Sequence, residues 1–196
     1  MKIYTIEAGV FGTNTYLIGD EETGKAVLID PDGNGKQILK LVEQNGFALE
    51  AILLTHGHFD HIGAVDELVS LTGASVHISE RDAELLTDGK KNASAIFFGK
   101  GILCNTVPMT FKNNDILTFG NLSFSVMLTP GHTRGSVCFF LDDDIVFTGD
   151  TFFADGYGRT DLFGGNENTL IQSLQKLISH LKGKTAYPGH GSSVNV

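Results

Sequence analysis

Four side chains able to hold a metal ion fall within six residues of this sequence, in the run Leu53-Leu54-Thr55-His56-Gly57-His58-Phe59-Asp60-His61-Ile62-Gly63. A lone histidine is more often a hydrogen-bonded structural residue than a ligand. Three imidazoles and a carboxylate crowded onto one loop, directly after an apolar strand, share no such explanation, because their crowding is useful only if a cation organises them. Neutral imidazole and carboxylate are ligands that Zn²⁺ and iron accept, so the segment predicts metal chemistry.

A dinuclear site needs more ligands than one loop supplies, and the rest must be carried to the same edge from distant positions. Three segments qualify: Thr129-Pro130-Gly131-His132-Thr133, Phe147-Thr148-Gly149-Asp150 and Tyr187-Pro188-Gly189-His190-Gly191. In each, a His or Asp stands beside glycine just past an apolar strand, where turns present side chains to a shared cleft. The remaining histidines differ. His77 lies inside a strand pattern and reads as packing or surface; His180 lies near a helix end, where a positive charge meets the C-terminal dipole.

The elements that must position these residues are short. Strand patterns occur at Lys2–Glu7, Thr15–Ile18, Ala26–Ile29, Ala51–Leu54, Ser75–Ile78, Asp115–Phe119, Leu122–Leu128, Val137–Leu141 and Ile145–Thr148, mostly bounded by Gly, Asp or Asn. Helical periodicity is clearest in Leu170, Leu174, Leu177, Ile178 and Leu181, with Gly183 as the stop. A second helix is expected over Lys36–Glu43 with Ile38, Leu41 and Val42 inward, and weaker ones over Val65–Leu71 and Glu80–Leu86. Two stretches also resemble each other. Val27–Asp30, a helix, then Ala51–Gly57 matches Val146–Asp150, a helix, then Ala186–Gly191, each reading strand, Asp, helix, strand, His-Gly. Chance is an equal explanation for strand-helix-strand similarity. If real, the match makes two βαβ-like halves, roughly 1–110 and 111–196, of one domain spanning 1–196, and puts Asp30 opposite Asp150 as a structural turn residue.

Composition narrows the function. The 196 residues hold 14 basic and 23 acidic side chains, a net charge of −9, and no Lys/Arg cluster that would release counterions from nucleic acid. No apolar run approaches the ~20 residues of a membrane span, and Glu7 stands where a signal peptide would place its apolar region. A cytoplasmic protein is expected, monomeric or homodimeric. Cys104 and Cys138 are too few and too far apart for a disulfide framework or a four-thiolate zinc site, and are expected to be buried reduced thiols. Glycine, at 24 residues, is in excess of the usual ~7% and implies many tight turns.

The motifs His-x-His-x-Asp-His, Pro-Gly-His-Thr, Thr-Gly-Asp and Pro-Gly-His-Gly, in this order over essentially the whole chain, resemble those of the metallo-β-lactamase superfamily. The resemblance implies an α/β (α+β) fold, a four-layer αββα sandwich with a dinuclear site at one edge of its two sheets. It further implies that His56, His58 and His132 hold one metal, that Asp60, His61 and His190 hold the other, and that Asp150 bridges both and holds a bridging hydroxide. Zinc is the expected metal, with iron or manganese as alternatives.

Flavodiiron oxygen reductases carry a carboxylate where this chain has His58, which favours a hydrolase branch. The run Thr151–Asp161 resembles the segment after the bridging aspartate in short glyoxalase II-like proteins and in persulfide dioxygenases. The better match, to glyoxalase II, implies hydrolysis of a 2-hydroxyacyl glutathione or a related small thioester. Two divalent cations offset by Asp60, Asp150 and hydroxide leave a formal charge of +1, enough to ionise water near neutral pH. Asp60 is then a ligand first and a base only secondarily. Full-length glyoxalase II enzymes supply glutathione contacts from a C-terminal helical extension, whereas this sequence runs to Val196, so the resemblance leaves glutathione recognition open. Substrate-contact candidates are Phe153, Tyr157 and Arg159, together with the segment Asn92–Met109. Arg159 could clamp a carboxylate or, buried, pair with Asp161 or Asp155 to fix its loop. Phe97 and Phe98 are expected in the core rather than in the cleft.

The main rival is a mononuclear iron persulfide dioxygenase using His56, His132 and Asp150, which Gly158-Arg159-Thr160-Asp161 keeps open. A lactonase or β-lactamase has suitable metal chemistry, but nothing singles out a cyclic amide or ester. A non-catalytic member would have lost ligands, and all seven are present.

Overall fold

The computed structural model describes residues 1–196. Strands β1 (Lys2–Ala8), β2 (Thr13–Asp20), β3 (Lys25–Ile29), β4 (Ala48–Leu53), β5 (Ser75–Ser79) and β6 (Met109–Phe111) form one sheet in that order. Strands β7 (Ile116–Phe119), β8 (Leu122–Leu128), β9 (Val137–Leu141), β10 (Ile145–Gly149), β11 (Thr185–Pro188) and β12 (Val194–Asn195) form the second, in the order β12-β11-β10-β9-β8-β7.

Successive strand side chains point to opposite faces, and this alternation divides the core. Leu17, Ala26, Leu28, Ile52 and Leu54 face outward to one apolar cluster, while Tyr16, Ile18, Val27, Ile29, Ala51 and Leu53 face inward to a second, shared with Phe124, Phe139 and Phe147 of the opposite sheet. Continuous apolar runs such as Ala26–Ile29 are therefore strands buried on both sides. Helices α1 (Gly35–Gln44) and α3 (Val65–Thr72) close the outer face of the first sheet through Ile38, Val42, Val65 and Leu68. Helix α5 (Glu167–Leu181) closes that of the second, where Leu177 and Leu181 meet Cys138, Val146 and Ala186. The layers run αββα, as the family resemblance implied.

Each sheet contains a parallel pair joined by a helix, β3-α1-β4 and β10-α5-β11. Asn34 caps α1 by accepting from Gln37 N at 3.1 Å, and Asn166 caps α5 by accepting from Thr169 N at 2.9 Å. The α5 stripe differs from the periodicity in one place. Ile178 is exposed, and buried Ser173 takes the inward position because its hydroxyl donates to the Pro130 carbonyl at 2.7 Å. Of the expected helix Glu80–Leu86, only a 3₁₀ turn at Ala83–Leu85 forms. Two helices without enough turns to show a period also appear: α2 (Phe59–Ile62), inside the ligand run, and α4 (Ser94–Phe98). His77 lies on β5, and His180 in the last turn of α5 faces the Lys176 carbonyl at 2.9 Å, both as expected. No helix is long and apolar enough to cross a membrane. Both cysteines are free and buried.

Candidate metal centre

Every segment with a metal-binding side chain follows the C-terminal end of a strand: His56 to His61 after β4, His132 after β8, Asp150 after β10 and His190 after β11. The two sheets bring those ends to one edge. There His56, His58 and His132 converge as one group of ligand atoms, and Asp60, His61 and His190 as another, each within 4.8 Å. Asp150 Oδ2 lies between the two groups, 3.5 Å from His132 Nε2 and 3.6 Å from His190 Nε2. All seven residues named from the sequence are thus at one place.

Hydrogen bonds decide which ring nitrogens carry protons. The His132 Nδ1 faces the Arg159 carbonyl at 2.6 Å, which can only accept, so its Nε2 is a bare lone pair. The Thr55 hydroxyl donates to Asp30 at 2.6 Å and so accepts from His56 Nδ1 at 3.1 Å, baring His56 Nε2 as well. These two lone pairs point at each other across 3.2 Å, and His58 Nδ1 lies 2.9 Å from the same His132 nitrogen. The contact between the His56 and His132 lone pairs is repulsive unless a cation lies between them. Bonds of ~2.0–2.1 Å from one ion to tetrahedral ligands would space those ligands about 3.3 Å apart.

The second group behaves alike. His61 Nδ1 meets Asp30 Oδ2 at 2.9 Å, while His61 Nε2 and Asp150 Oδ1 are buried, 3.5 Å apart, without any hydrogen-bond partner. Buried polar atoms are seldom left so. The His190 Nε2 lies 3.5 Å from Asp60 Oδ2. Gly189 is required here by close approach, since a Cβ would meet Asp150 Oδ1 at 2.2 Å. The residues present therefore fit a pair of metal ions.

Electrostatics prepares the ligands. Burial, reinforced by neighbouring imidazoles, holds His56 and His58 well below the usual histidine range, so both stay neutral at neutral pH, as metal binding requires. For His61 burial opposes the charge, but Asp60, Asp150 and Asp30 overcome it and raise it to about 10. Burial likewise works against ionisation of Asp60, yet His61 and His190 keep its carboxyl below the ordinary range. Without metal, His61 is the cation among three carboxylates.

Three supporting residues escaped the sequence reading or were read too simply. Asp30, expected as a turn residue, accepts from Thr55 N, Thr55 Oγ1 and the His61 ring, and so orients two ligand segments. Asp82 is fully buried and accepts from Gly57 N at 3.1 Å, Thr133 Oγ1 at 2.6 Å and Gly135 N at 2.7 Å, which ties the His56–His58 run to the His132 turn. Asn14 on β2 donates to the carbonyls of Pro188 and Gly191 at 3.0 and 2.7 Å and fixes the turn that carries His190. In the sequence, each lies far from the ligand it steadies.

The centre opens into a cavity of about 410 Å³ lined by Phe11, His58, Phe59, Asp60, Ala93, Phe97 and, across the mouth, by Phe153, Tyr157, Arg159 and Leu162 among others. Phe153, Tyr157 and Arg159, the substrate-contact candidates, all line it. Arg159 is exposed rather than buried; its Nε and Nη2 donate to Asp161 at 2.7 and 2.8 Å, and its guanidinium lies 5.8 Å from the Phe97 ring centre. Phe97 and Phe98 correct the core assignment. They lie 39% and 42% exposed, Phe97 lining the metal cavity and Phe98 the neighbouring hollow, and of α4 only the first residue is buried. A larger cleft of about 800 Å³, with no hydrophobic side chain in its lining, lies between Glu80–Glu84, Pro130–Arg134 and Gly164–Thr169 and contains none of the seven residues.

An αββα sandwich with two His/Asp groups at one edge, joined by an aspartate, defines a class of metal-binding folds. The metallo-β-lactamase superfamily profile matches residues 8–190, and the chain belongs to that superfamily. It is 34% identical to a probable metallo-hydrolase of Bacillus subtilis and 33% identical to the hydroxyacylglutathione hydrolase GloC of Haemophilus influenzae, in both cases over 100% of this chain and 93% of the relative. Among solved structures it resembles the BLEG-1 B3 metallo-β-lactamase (TM-score 0.93, 32% identity, 98% of this chain and 93% of the other) and ETHE1 of Myxococcus xanthus (TM-score 0.78, 34% identity, 98% and 76%). It also resembles TTHA1623, crystallised in a di-iron-bound form (TM-score 0.83, 32% identity, 98% and 94%).

Proposed function

We propose that the protein is a metal-dependent hydrolase of thioesters, of glyoxalase II type, acting on a 2-hydroxyacyl glutathione or a related small thioester. The observation that carries this is the pair of ligand groups with Asp150 Oδ2 between them at the floor of a half-apolar cavity. The likeness to a hydroxyacylglutathione hydrolase supports it. In this reading His56, His58 and His132 hold one ion, Asp60, His61 and His190 the other, and Asp150 both. Zinc is the proposed metal, although iron or manganese suits the same ligands.

When bound, two divalent cations supply Lewis acidity and a water ionised near neutral pH. The remaining work belongs to the chain. Asp30 and Asp82 keep the ligands oriented, Phe59, Phe97 and Phe153 present an apolar surface beside the reacting carbonyl, and Tyr157 and Arg159 offer polar contacts at the rim. Asp60 is engaged with His61 and His190 and acts as a ligand rather than a base. A thiolate leaves readily enough that no dedicated acid is required. The same reading places the enzyme in the cytoplasm, in keeping with its two free thiols.

Elemental analysis of protein purified without added metal, followed by a panel of thioesters, tests the proposal. Two ions per chain and thioester turnover are expected, with Asp60→Ala or His61→Ala losing bound metal and activity together. Normal turnover with the second group vacant would sink the dinuclear mechanism. A second reading, a mononuclear iron persulfide dioxygenase, draws on the Arg159 carbonyl that holds His132 from within Gly158–Asp161; one iron per chain and no thioester turnover would favour it.

A further inference from the structure

Four phenylalanines form one wall beside the metal centre. Phe11 meets Phe59 and Phe97 at 5.3 Å between ring centres and Phe98 at 6.2 Å, and Phe59 meets Phe97 at 5.4 Å and Phe98 at 5.3 Å. Phe59 stands between His58 and Asp60 in the chain, so the wall starts at the ligands themselves. From there it runs outward: a second hollow of about 260 Å³, lined by Val10, Phe11, Phe59, Phe98 and Ile102 among others, shares Phe11 and Phe59 with the metal cavity. Phe11 is 41% exposed and Val10 beside it 82%. A contiguous apolar surface of this kind left open to water marks a binding site.

The wall is built, not draped. Buried Asn92 receives the Phe59 N–H at its carbonyl (3.1 Å), donates to Ile102 O at 2.7 Å, and accepts from Ser94 N and Oγ at 3.0 and 2.7 Å. Ala93, lining the cavity, holds a left-handed φ of 69°, a strained conformation for a residue with a Cβ, which turns α4 toward the mouth. Further along, Asp66 accepts from the backbone N–H groups of Asn105 and Thr106 at 2.8 and 2.9 Å, pinning the same segment to α3. Charge points the same way as shape. Arg159 is the one Lys or Arg lining the metal cavity, and its fork is held by Asp161.

We propose that Phe11, Phe59 and Phe97, continued outward by Phe98, form an acyl subsite, and that among the thioesters of the reading above the preferred ones carry an aromatic ring on the acyl group. The assignment rests on the thioesterase reading for the reaction but not for the binding. The reacting carbonyl stands at the ligand groups, and the hydrocarbon attached to it lies against Phe59 first and then Phe97 and Phe11.

Calorimetry on the metal-loaded protein with two product-like acids, 3-phenylpropionate and lactate, separates the two questions. A seated phenyl ring should make the aromatic acid bind at least about tenfold tighter. Phe97→Ala should shrink that ratio to near unity while Phe97→Leu, which keeps an apolar surface, retains most of it, with metal content unchanged in both. Equal binding of the two acids by the wild-type protein, or an undiminished ratio in Phe97→Ala, would overturn the subsite. Turnover of the matching pair of thioesters, made with one common thiol, then reports on the reaction. If neither is cleaved, the thioesterase reading fails while the calorimetric ratio still decides the wall.

Discussion

At the scale of single residues, the centre depends as much on carboxylates that touch no metal as on the ligands. Asp82 joins two ligand segments through three donors, and losing such outer contacts typically costs ~10–100-fold in metal affinity. Asp82→Asn is therefore expected to weaken metal binding by about that factor in a competitive chelator titration, because the amide NH₂ turns a donor toward a donor. The seven candidate ligands were legible in the sequence because each stands beside glycine or another candidate after a strand. Asp82, Asn14 and the orienting role of Asp30 were not, since a hydrogen bond to a distant backbone leaves no local pattern. Phe97 and Phe98 were misread for a related reason: apolar side chains look alike whether they fill a core or wall a cavity.

Among the elements, α5 shows what its apolar stripe is worth. Leu177 is fully buried against Cys138, Val146 and Ala186, so Leu177→Ala should destabilise the fold by about 2–5 kcal/mol, read from chemical denaturation, whereas the exposed Ile178→Ala should be nearly neutral. The cysteines offer a second check. Burial pushes both thiols up to about 12, Cys104 with help from Asp66. A thiol reagent at neutral pH should leave both unmodified in the folded protein and titrate two per chain after denaturation. The longer strands and helices were readable from period; β6 and β12, at three and two residues, and α2 and α4, at four and five, were not, because none is long enough to display one.

For the whole molecule, stability and metal occupancy are linked. Removal of metal by a chelator should lower the unfolding temperature, and readdition should restore it, since metal bound only by the native state stabilises it. The metal-free protein should also show a characteristic pH dependence. His61 is raised to about 10 against complete burial, by Asp60, Asp150 and Asp30. A raised histidine contributes fully below its unfolded value of about 6.5, and that contribution is lost as pH climbs through about 10. His190 is shifted in the same direction. Metal-free unfolding temperatures should accordingly decline between these limits, whereas the metal-loaded protein, whose His61 is not a proton carrier, should show a flatter profile.

The ligand groups draw from both sheets: His56, His58, Asp60 and His61 follow a strand of the first, whereas His132, Asp150 and His190 follow strands of the second. Each ion would then rivet the two leaves of the sandwich at their open edge. A cell short of metal would hold a chain whose leaves part more often, exposing the turns around His132 and His190 to proteases, so metal supply would set how long each copy survives as well as how fast it works.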